Sequence, residues 1–252
     1  MANKPQKIFI TGISSGIGRA LAVQLVRTGH EVWGTARRKE LLEQLSDQLD
    51  GKLLFSGGDT SNIDDNKKIA AEMRAKNFIP DAVILNAGIH ARDIKDGLIF
   101  SEAQTALKTN LEGPLFWISE FLPDFLKRRD GLFVGISSTS AYRPYRGTLT
   151  YSATKSALSM LFRGLRLNFA KTGVRFSAIH FGPIATEMWR GKKGFLVSSP
   201  EAAAQFIVST LDKKSASYFF PVLSTSLMRL SVLLPDKIFS FFTSLIKNKN
   251  GK

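Results

Sequence analysis

Lys7-Ile-Phe-Ile-Thr11-Gly12-Ile-Ser-Ser-Gly16-Ile-Gly18 is the stretch that decides the fold of this 252-residue chain. Its first five residues read as a short buried strand, and Leu21, Leu25 and Val26 then recur at helical spacing. Gly12, Gly16 and Gly18 fall between the two elements. Missing side chains there permit a tight turn and a close backbone approach to a phosphate, and the helix N-terminus behind them supplies oriented N–H donors. The spacing is not Gly-x-Gly-x-x-Gly, and a glycine cluster by itself is also consistent with an ordinary turn. Ser14 and Ser15 read either as phosphate contacts or as helix-capping residues.

Working outward, strand and helix patterns alternate. Val32 to Ala36, Lys52 to Ser56, Ala82 to Asn86, Gly131 to Ser137, Val174 to His180 and Tyr218 to Phe220 read as strands. Leu41 to Leu49, Ile63 to Lys76, the stretch either side of Asn110 to about Lys127, Tyr151 to Lys171 and Pro200 to Leu211 read as helices. Strict alternation with short connections predicts an α/β fold, a doubly wound parallel sheet with helices on both faces. Ligands then bind beyond the carboxyl ends of the strands.

Composition narrows the functional class. Hydrophobic residues make up 44% of the chain, as expected of a globular protein. Thirty-five Lys and Arg against 21 Asp and Glu give a formal charge of +14, which attracts phosphorylated cofactors, nucleic acid or anionic lipid without choosing among them. The basic residues are scattered and no nucleic-acid module is recognisable, so specific nucleic-acid binding is not expected. With no cysteine, disulfides and thiolate-metal sites are excluded. His30, His90 and His180 stand far apart without ligand-like partners, so no metal site is expected. The first strand follows only a short polar leader, which leaves no room for a secretory signal and makes a cytoplasmic location the expectation.

One constellation carries chemistry. Tyr151 and Lys155 are four residues apart in a helical stretch, so they share a face, and an ammonium beside a phenol favours the ionised phenol. A phenol with a pKa of about 10 exchanges protons poorly at neutral pH, and a lowered value suits acid–base catalysis. Taken alone, such a pair also fits a helix-surface contact, and Ser138, thirteen residues upstream, also fits a turn. Its neighbour Ser137 is the competing candidate.

Thr11-Gly-x-x-x-Gly-x-Gly18, Asn86-Ala87-Gly88, Asn110, Ser138 and Tyr151-x-x-x-Lys155 together resemble the short-chain dehydrogenase/reductases in order and interval, over residues 5–221. The resemblance implies a single Rossmann-like catalytic domain, a nicotinamide dinucleotide and hydride transfer between an alcohol and a carbonyl. It makes Tyr151 the general acid/base. Lys155 would bind the nicotinamide ribose and lower the phenol pKa, Ser138 would polarise the substrate oxygen, and Asn110 would join a water-mediated proton relay. Asn110 also reads as a helix-bend residue. By the same resemblance, the cofactor is held by Gly12, Ser14, Ser15, Gly16, Ile17 and Gly18, by Asp59 near the adenine, and by Asn86, Ala87 and Gly88. Tyr151, Lys155, Gly182, Ile184 and Thr186 complete that set. Asp59 equally suits a turn. Two positions depart from the family pattern: Leu85 replaces an Asn, and Phe181 replaces a Pro.

At the end of the second strand, Ala36-Arg37-Arg38 stands where a carboxylate would bind the adenosine ribose. Two guanidinium groups favour a 2′-phosphate, so NADP(H) is preferred and NAD(H) remains possible. The plainer reading is that both arginines cap a solvated strand end. The substrate walls are expected in Ser138–Thr150 and Thr186–Ser199, where Tyr142, Pro144, Tyr145, Met188, Trp189, Phe195 and Leu196 suggest an apolar alcohol or carbonyl compound. Residues 222–252 form a basic, apolar helical extension. It is expected to fold back on the body or cover a subunit interface, with a peripheral membrane anchor as the alternative. A homodimer or homotetramer follows from the family resemblance. The other functional class compatible with the fold is a non-catalytic, dinucleotide-responsive binding or scaffold protein.

Overall fold

The computed structural model describes residues 5–91, 97–144, 147–189, 194 and 196–240. Seven strands, β1 (Lys7–Thr11), β2 (Glu31–Ala36), β3 (Leu53–Gly57), β4 (Ala82–Leu85), β5 (Gly131–Ser138), β6 (Val174–Phe181) and β7 (Ser217–Phe220), form one sheet ordered β3-β2-β1-β4-β5-β6-β7. Every pairing is parallel. The helices are α1 (Gly16–Arg27), α2 (Lys39–Asp47), α3 (Ile63–Ala75), α4 (Phe100–Leu107), α5 (Gly113–Arg128), α6 (Leu149–Asn168), α7 (Pro200–Val208) and α8 (Val222–Ser231).

Period-two alternation in the strands explains the two-sided core. Ile8 and Ile10 face one side with Leu21, Leu25 and Ile207, whereas Phe9 between them faces the other with Trp117 and Phe121. Because both faces are covered, the strands read as unbroken apolar runs. The expected doubly wound architecture is present. The chain begins in the middle of the sheet and winds outward in both directions, so strand order reverses between β1 and β4 and a crevice opens at their carboxyl ends.

Among the strand ends that differ from expectation, two bear on the site. β4 stops at Leu85, which frees Asn86 to use its side chain in the crevice. β6 runs one residue further, to Phe181, which pairs with Ser138 on one side and Phe220 on the other and is buried in the core. The Pro-to-Phe departure restores a backbone N–H and an apolar side chain, so the strand continues.

Candidate active site

The turn from β1 into α1 has the backbone that its glycines predict. Gly12 and Gly16 have φ of +78° and +57°. A Cβ on Gly12 would lie 2.8 Å from Ala87 Cα, and one on Gly18 would strike the Gly12 carbonyl and the Asn86 amide. The turn is therefore packed directly against the loop after β4. Thr11 Oγ1 accepts from the N–H groups of Asn86 and Ala87, each at 3.1 Å, and Asn86 Nδ2 donates to the Thr11 and Gly12 carbonyls, each at 3.0 Å. Ser15 stands at the N-cap of α1 without a side-chain hydrogen bond to the first turn, contrary to the capping alternative, and no acidic residue occupies that turn. A helix N-terminus so presented, with Ile17 and Gly18 in its first turn, fits an anionic phosphate.

Behind this loop lies Asn110, fully buried in a π-helical turn, Lys108–Glu112, that joins α4 to α5. Its Oδ1 accepts from Ile89 N at 2.8 Å, and its Nδ2 donates to Ile89 O and Thr154 Oγ1 at 2.9 and 3.0 Å. Asn110 thus sits in an irregular turn of the helix, and its side chain ties the 86–90 loop to α6. Gly88 closes this region: a Cβ there would sit 3.3 Å from Lys155 Nζ and 3.4 Å from Asn110 Oδ1.

The parallel pairing of β5 with β6 and the packing of α6 on both bring Ser138, Tyr151 and Lys155 together. Alternation in β5 decides between the two serines. Ser137 turns toward α6, 2.8 Å from Ser159 Oγ, whereas Ser138 is on the Tyr151 side, where it acts to lower the phenol pKa, and accepts from Ser140 N at 3.1 Å. Lys155 is buried, and its Nζ donates to the Ile136 carbonyl at 2.8 Å and lies 5.6 Å from the Tyr151 ring centroid. Burial pushes the Lys155 ammonium down to about 8. Burial also raises the Tyr151 phenol above its ordinary value, with the Ser138 hydrogen bond opposing that rise. The sequence predicts the opposite direction for the phenol. The difference is physical: loss of solvent around Tyr151 outweighs the hydrogen bond, and the ammonium is directed at a carbonyl.

At the adenosine end, Arg37 Nη1 lies 3.9 Å from Asp59 Oδ2, and Arg38 Nη2 reaches Ser14 Oγ at 3.1 Å and Glu187 at 3.5 Å. Both arginines are substantially exposed, so these contacts are weak and leave the guanidinium groups able to take an anion. Asp59 Oδ1 accepts from Ser61 N and Oγ, a turn-forming geometry that leads into α3. Thr186 packs over the glycine turn, its Cγ2 being 3.1 Å from where a Gly16 Cβ would lie. Ile184 is buried and bridges to Ser198. The close approach at Gly182 is to α8: a Cβ there would meet Ser224 Oγ at 2.6 Å.

Sequence reasoning set His90 and His180 aside as metal ligands and gave neither a role at the site. His90 stacks on Tyr151 with ring centroids 3.9 Å apart, and only its position two residues after Gly88 hinted at the crevice. His180 is buried between Tyr142 and Phe219, and desolvation pushes its pKa down to about 4 despite the backbone of Ser138, so it is neutral at physiological pH. Tyr142 turns toward this cluster. Met188 and Trp189 are partly exposed, while Tyr145 and Phe195 lie outside the described residues.

The chain is similar to known proteins over most of its length. The sequence model of the short chain dehydrogenases matches residues 6–194. An uncharacterised oxidoreductase of Listeria innocua is 33% identical over 193 residues, 75% of this chain and 78% of that protein. The closed form of serine dehydrogenase complexed with NADP+ superposes with a TM-score of 0.78 at 25% identity, covering 86% of this chain and 95% of that one. A short-chain dehydrogenase from Streptomyces avermitilis superposes over 100% of both chains with a TM-score of 0.82 and 25% identity.

Proposed function

Because this chain belongs to the short-chain dehydrogenase/reductase family and is thereby an oxidoreductase of CH–OH and C=O groups, we propose that it is an NADP(H)-dependent enzyme interconverting an alcohol and a carbonyl on an apolar substrate. The observation that carries this reading is the meeting of Ser138, Tyr151 and Lys155 beside the glycine turn.

When bound, NADP(H) supplies or accepts the hydride at the substrate carbon. The residues that would hold it are Gly12, Ser14, Ser15, Gly16, Ile17 and Gly18 at the pyrophosphate, Asp59 at the adenine, and Arg37 and Arg38 at the 2′-phosphate. Asn86, Ala87, Gly88, Tyr151, Lys155, Gly182, Ile184 and Thr186 would frame the remainder. In reduction, the Tyr151 hydroxyl donates its proton to the carbonyl oxygen, and in oxidation the phenolate takes the proton from the alcohol. Ser138 donates a hydrogen bond to the same oxygen and stabilises the charge that develops there. Lys155 holds positive charge behind the phenol, and Asn110 keeps the 86–90 loop and α6 in register for a proton path through water.

NADP(H) is the preferred cofactor because two cations and no carboxylate follow β2, with NAD(H) a weaker alternative. The apolar substrate rests on Tyr142, Met188 and Trp189, whose exposed surfaces border the expected pocket segments. Residues 1–221 are read as the catalytic domain in a cytoplasmic protein. The homodimer or homotetramer would form through α5 and α6, whose Leu115, Met160 and Leu167 are exposed.

The test is NADPH consumption by the purified chain against a panel of apolar ketones and aldehydes, with small charged carbonyl compounds and serine oxidation alongside. Turnover of apolar carbonyls that drops at least a hundredfold in Tyr151→Phe is expected. Turnover of the small charged compounds alone would reject the apolar pocket. Cofactor binding with no turnover anywhere would favour the scaffold reading.

A further inference from the structure

We propose that α8 and the segment following it, to Ile238, form a surface that docks on an anionic lipid bilayer. A helix on the outside of a globular protein turns its apolar stripe inward and its polar residues to water. In α8 the arrangement is reversed. Ser224, Thr225 and Ser231 face the body, all under 10% exposed, while Leu223, Leu227 and Leu230, and Leu233 in the turn just beyond, are 57%, 54%, 63% and 82% exposed.

The inward serines and threonine cost little to bury because the helix satisfies them itself. Thr225 Oγ1 donates to Pro221 O, and Ser231 Oγ to Met228 O, each at 2.7 Å. Small residues on this face also permit the close approach of Ser224 to Gly182. The orientation is clamped at its far end. Arg143, 6% exposed, donates to the carbonyls of Ser231 and Leu234 at 2.6 and 2.8 Å, pairs with Asp236 at 2.7 Å and stacks 4.3 Å from the Phe239 ring. Those bonds pin the last residue of α8 and the turn after it, where the Ser231 carbonyl also accepts from Leu234 N at 3.0 Å. The leucines therefore face outward because the fold holds them there.

Charge identifies the occupant. Residues 222–252 contain Arg229, Lys237, Lys247, Lys249 and Lys252 against one acid, Asp236, which Arg143 already engages. A second copy docking by this face would set Arg229 and Lys237 against their own counterparts, whereas an anionic membrane complements them. Among the described residues no helix is long and apolar enough to cross a membrane, so the fitting geometry is a helix lying in the interface with its leucines among the acyl chains. A groove of about 550 Å³ lined by Tyr142, Ser226, Arg229, Leu230, Val232 and Leu233 opens within this patch and has the apolar character to take part of a lipid chain.

The experiment uses the full chain and vesicles of phosphatidylcholine with or without phosphatidylglycerol at low salt. Sedimentation with the anionic vesicles at least about tenfold stronger than with the neutral ones is expected, weakening as salt rises. Leu227→Glu/Leu230→Glu/Leu233→Glu changes exposed positions only and should lose that binding about tenfold while NADPH binding persists. Leu230→Trp gives a second readout that does not depend on the triple variant folding, a blue shift of its emission when anionic vesicles are added. Wild-type protein left in the supernatant, a triple variant that sediments like wild type, or an unshifted Leu230→Trp emission would each overturn the proposal. So would a triple variant that turns a dimer into a monomer in ultracentrifugation while vesicle binding is unchanged.

Discussion

His90 lies nearly flat against Tyr151, with 3.9 Å between ring centroids and 19° between planes. The imidazole sits on the exposed side of the crevice and so fixes one face of the phenol that the proposed reaction requires to be oriented. Aromatic pairs of this kind contribute about 0.5–1.5 kcal/mol beyond their area. His90→Ala should lower stability by about that amount in urea unfolding and reduce kcat/KM several-fold, and His90→Phe, which keeps a flat ring, should restore both. Equal losses in the two variants would indicate that the imidazole acts by its nitrogens.

The raised Tyr151 pKa fixes the sign of the pH dependence. A phenol that stays protonated past neutrality can donate across the physiological range, and it becomes a base only at alkaline pH. NADPH-driven reduction should hold level through neutral pH and fall in alkali, while NADP+-driven oxidation should climb over the same alkaline limb. Initial rates in both directions from neutral pH to beyond pH 10 check this, since the limb lies above the ordinary phenol value, and Tyr151→Phe should abolish both limbs.

Lys155 predicts a separate effect on stability. Its folded value of about 8 lies below the ordinary 10.5, so between those values the unfolded chain binds a proton that the folded protein does not. The contribution of Lys155 to stability therefore improves as pH rises through this window and is at its most unfavourable below pH 8. Chemical unfolding of wild type and Lys155→Met from pH 7 to 10 should show the difference moving in favour of wild type as pH increases.

Arg37 and Arg38 offer guanidinium groups at the end of β2 with weak, exposed contacts to Asp59, Ser14 and Glu187. Charge-assisted hydrogen bonds contribute about 1.5–3 kcal/mol each, so Arg37→Ala/Arg38→Ala should weaken NADPH binding roughly 10- to 100-fold or more. NADH binding should change little. Isothermal titration with both cofactors measures the ratio.

Two glycines give opposite expectations. Gly18→Ala would force a methyl into the Gly12 carbonyl and to within 2.5 Å of Asn86 Nδ2. Overpacking of this sort costs about 1–3 kcal/mol and here would also distort the phosphate-binding turn, so both stability and NADPH affinity should fall. Gly164, inside α6, has nothing within 4 Å of an added Cβ, and Gly164→Ala should raise stability by about 0.5–1 kcal/mol in thermal unfolding.

Legibility in the sequence followed the range of the forces involved. β1, the glycine turn and α1 could be read directly because strand period, turn chemistry and helix period are local, and the same holds for the Tyr151–Lys155 spacing. What depended on partners distant in sequence could not be read. The stacking of His90 on Tyr151, the Asn110 bonds to Ile89 and Thr154, and the inversion of α8 all arise where separate segments meet. The pKa direction of Tyr151 belongs to the same group, since helical spacing shows that a cation is near but not how much water the fold removes. Leucine periodicity in the tail located its apolar side and could not say which way that side faces. That depended on Arg143, some ninety residues earlier in the chain.

The π-helical turn at Asn110 fixes the phase of α5, which follows it without a break. One residue fewer in that turn would make the helix regular, yet it would also rotate Trp117, Phe121 and Phe125 by about 100° about the helix axis, since each residue advances an α-helix by that angle. The three rings would leave the sheet and swing toward solvent. Length at this point is consequently as constrained as identity: Asn110 tolerates neither a deletion nor an insertion beside it unless a compensating change of one residue occurs before Trp117.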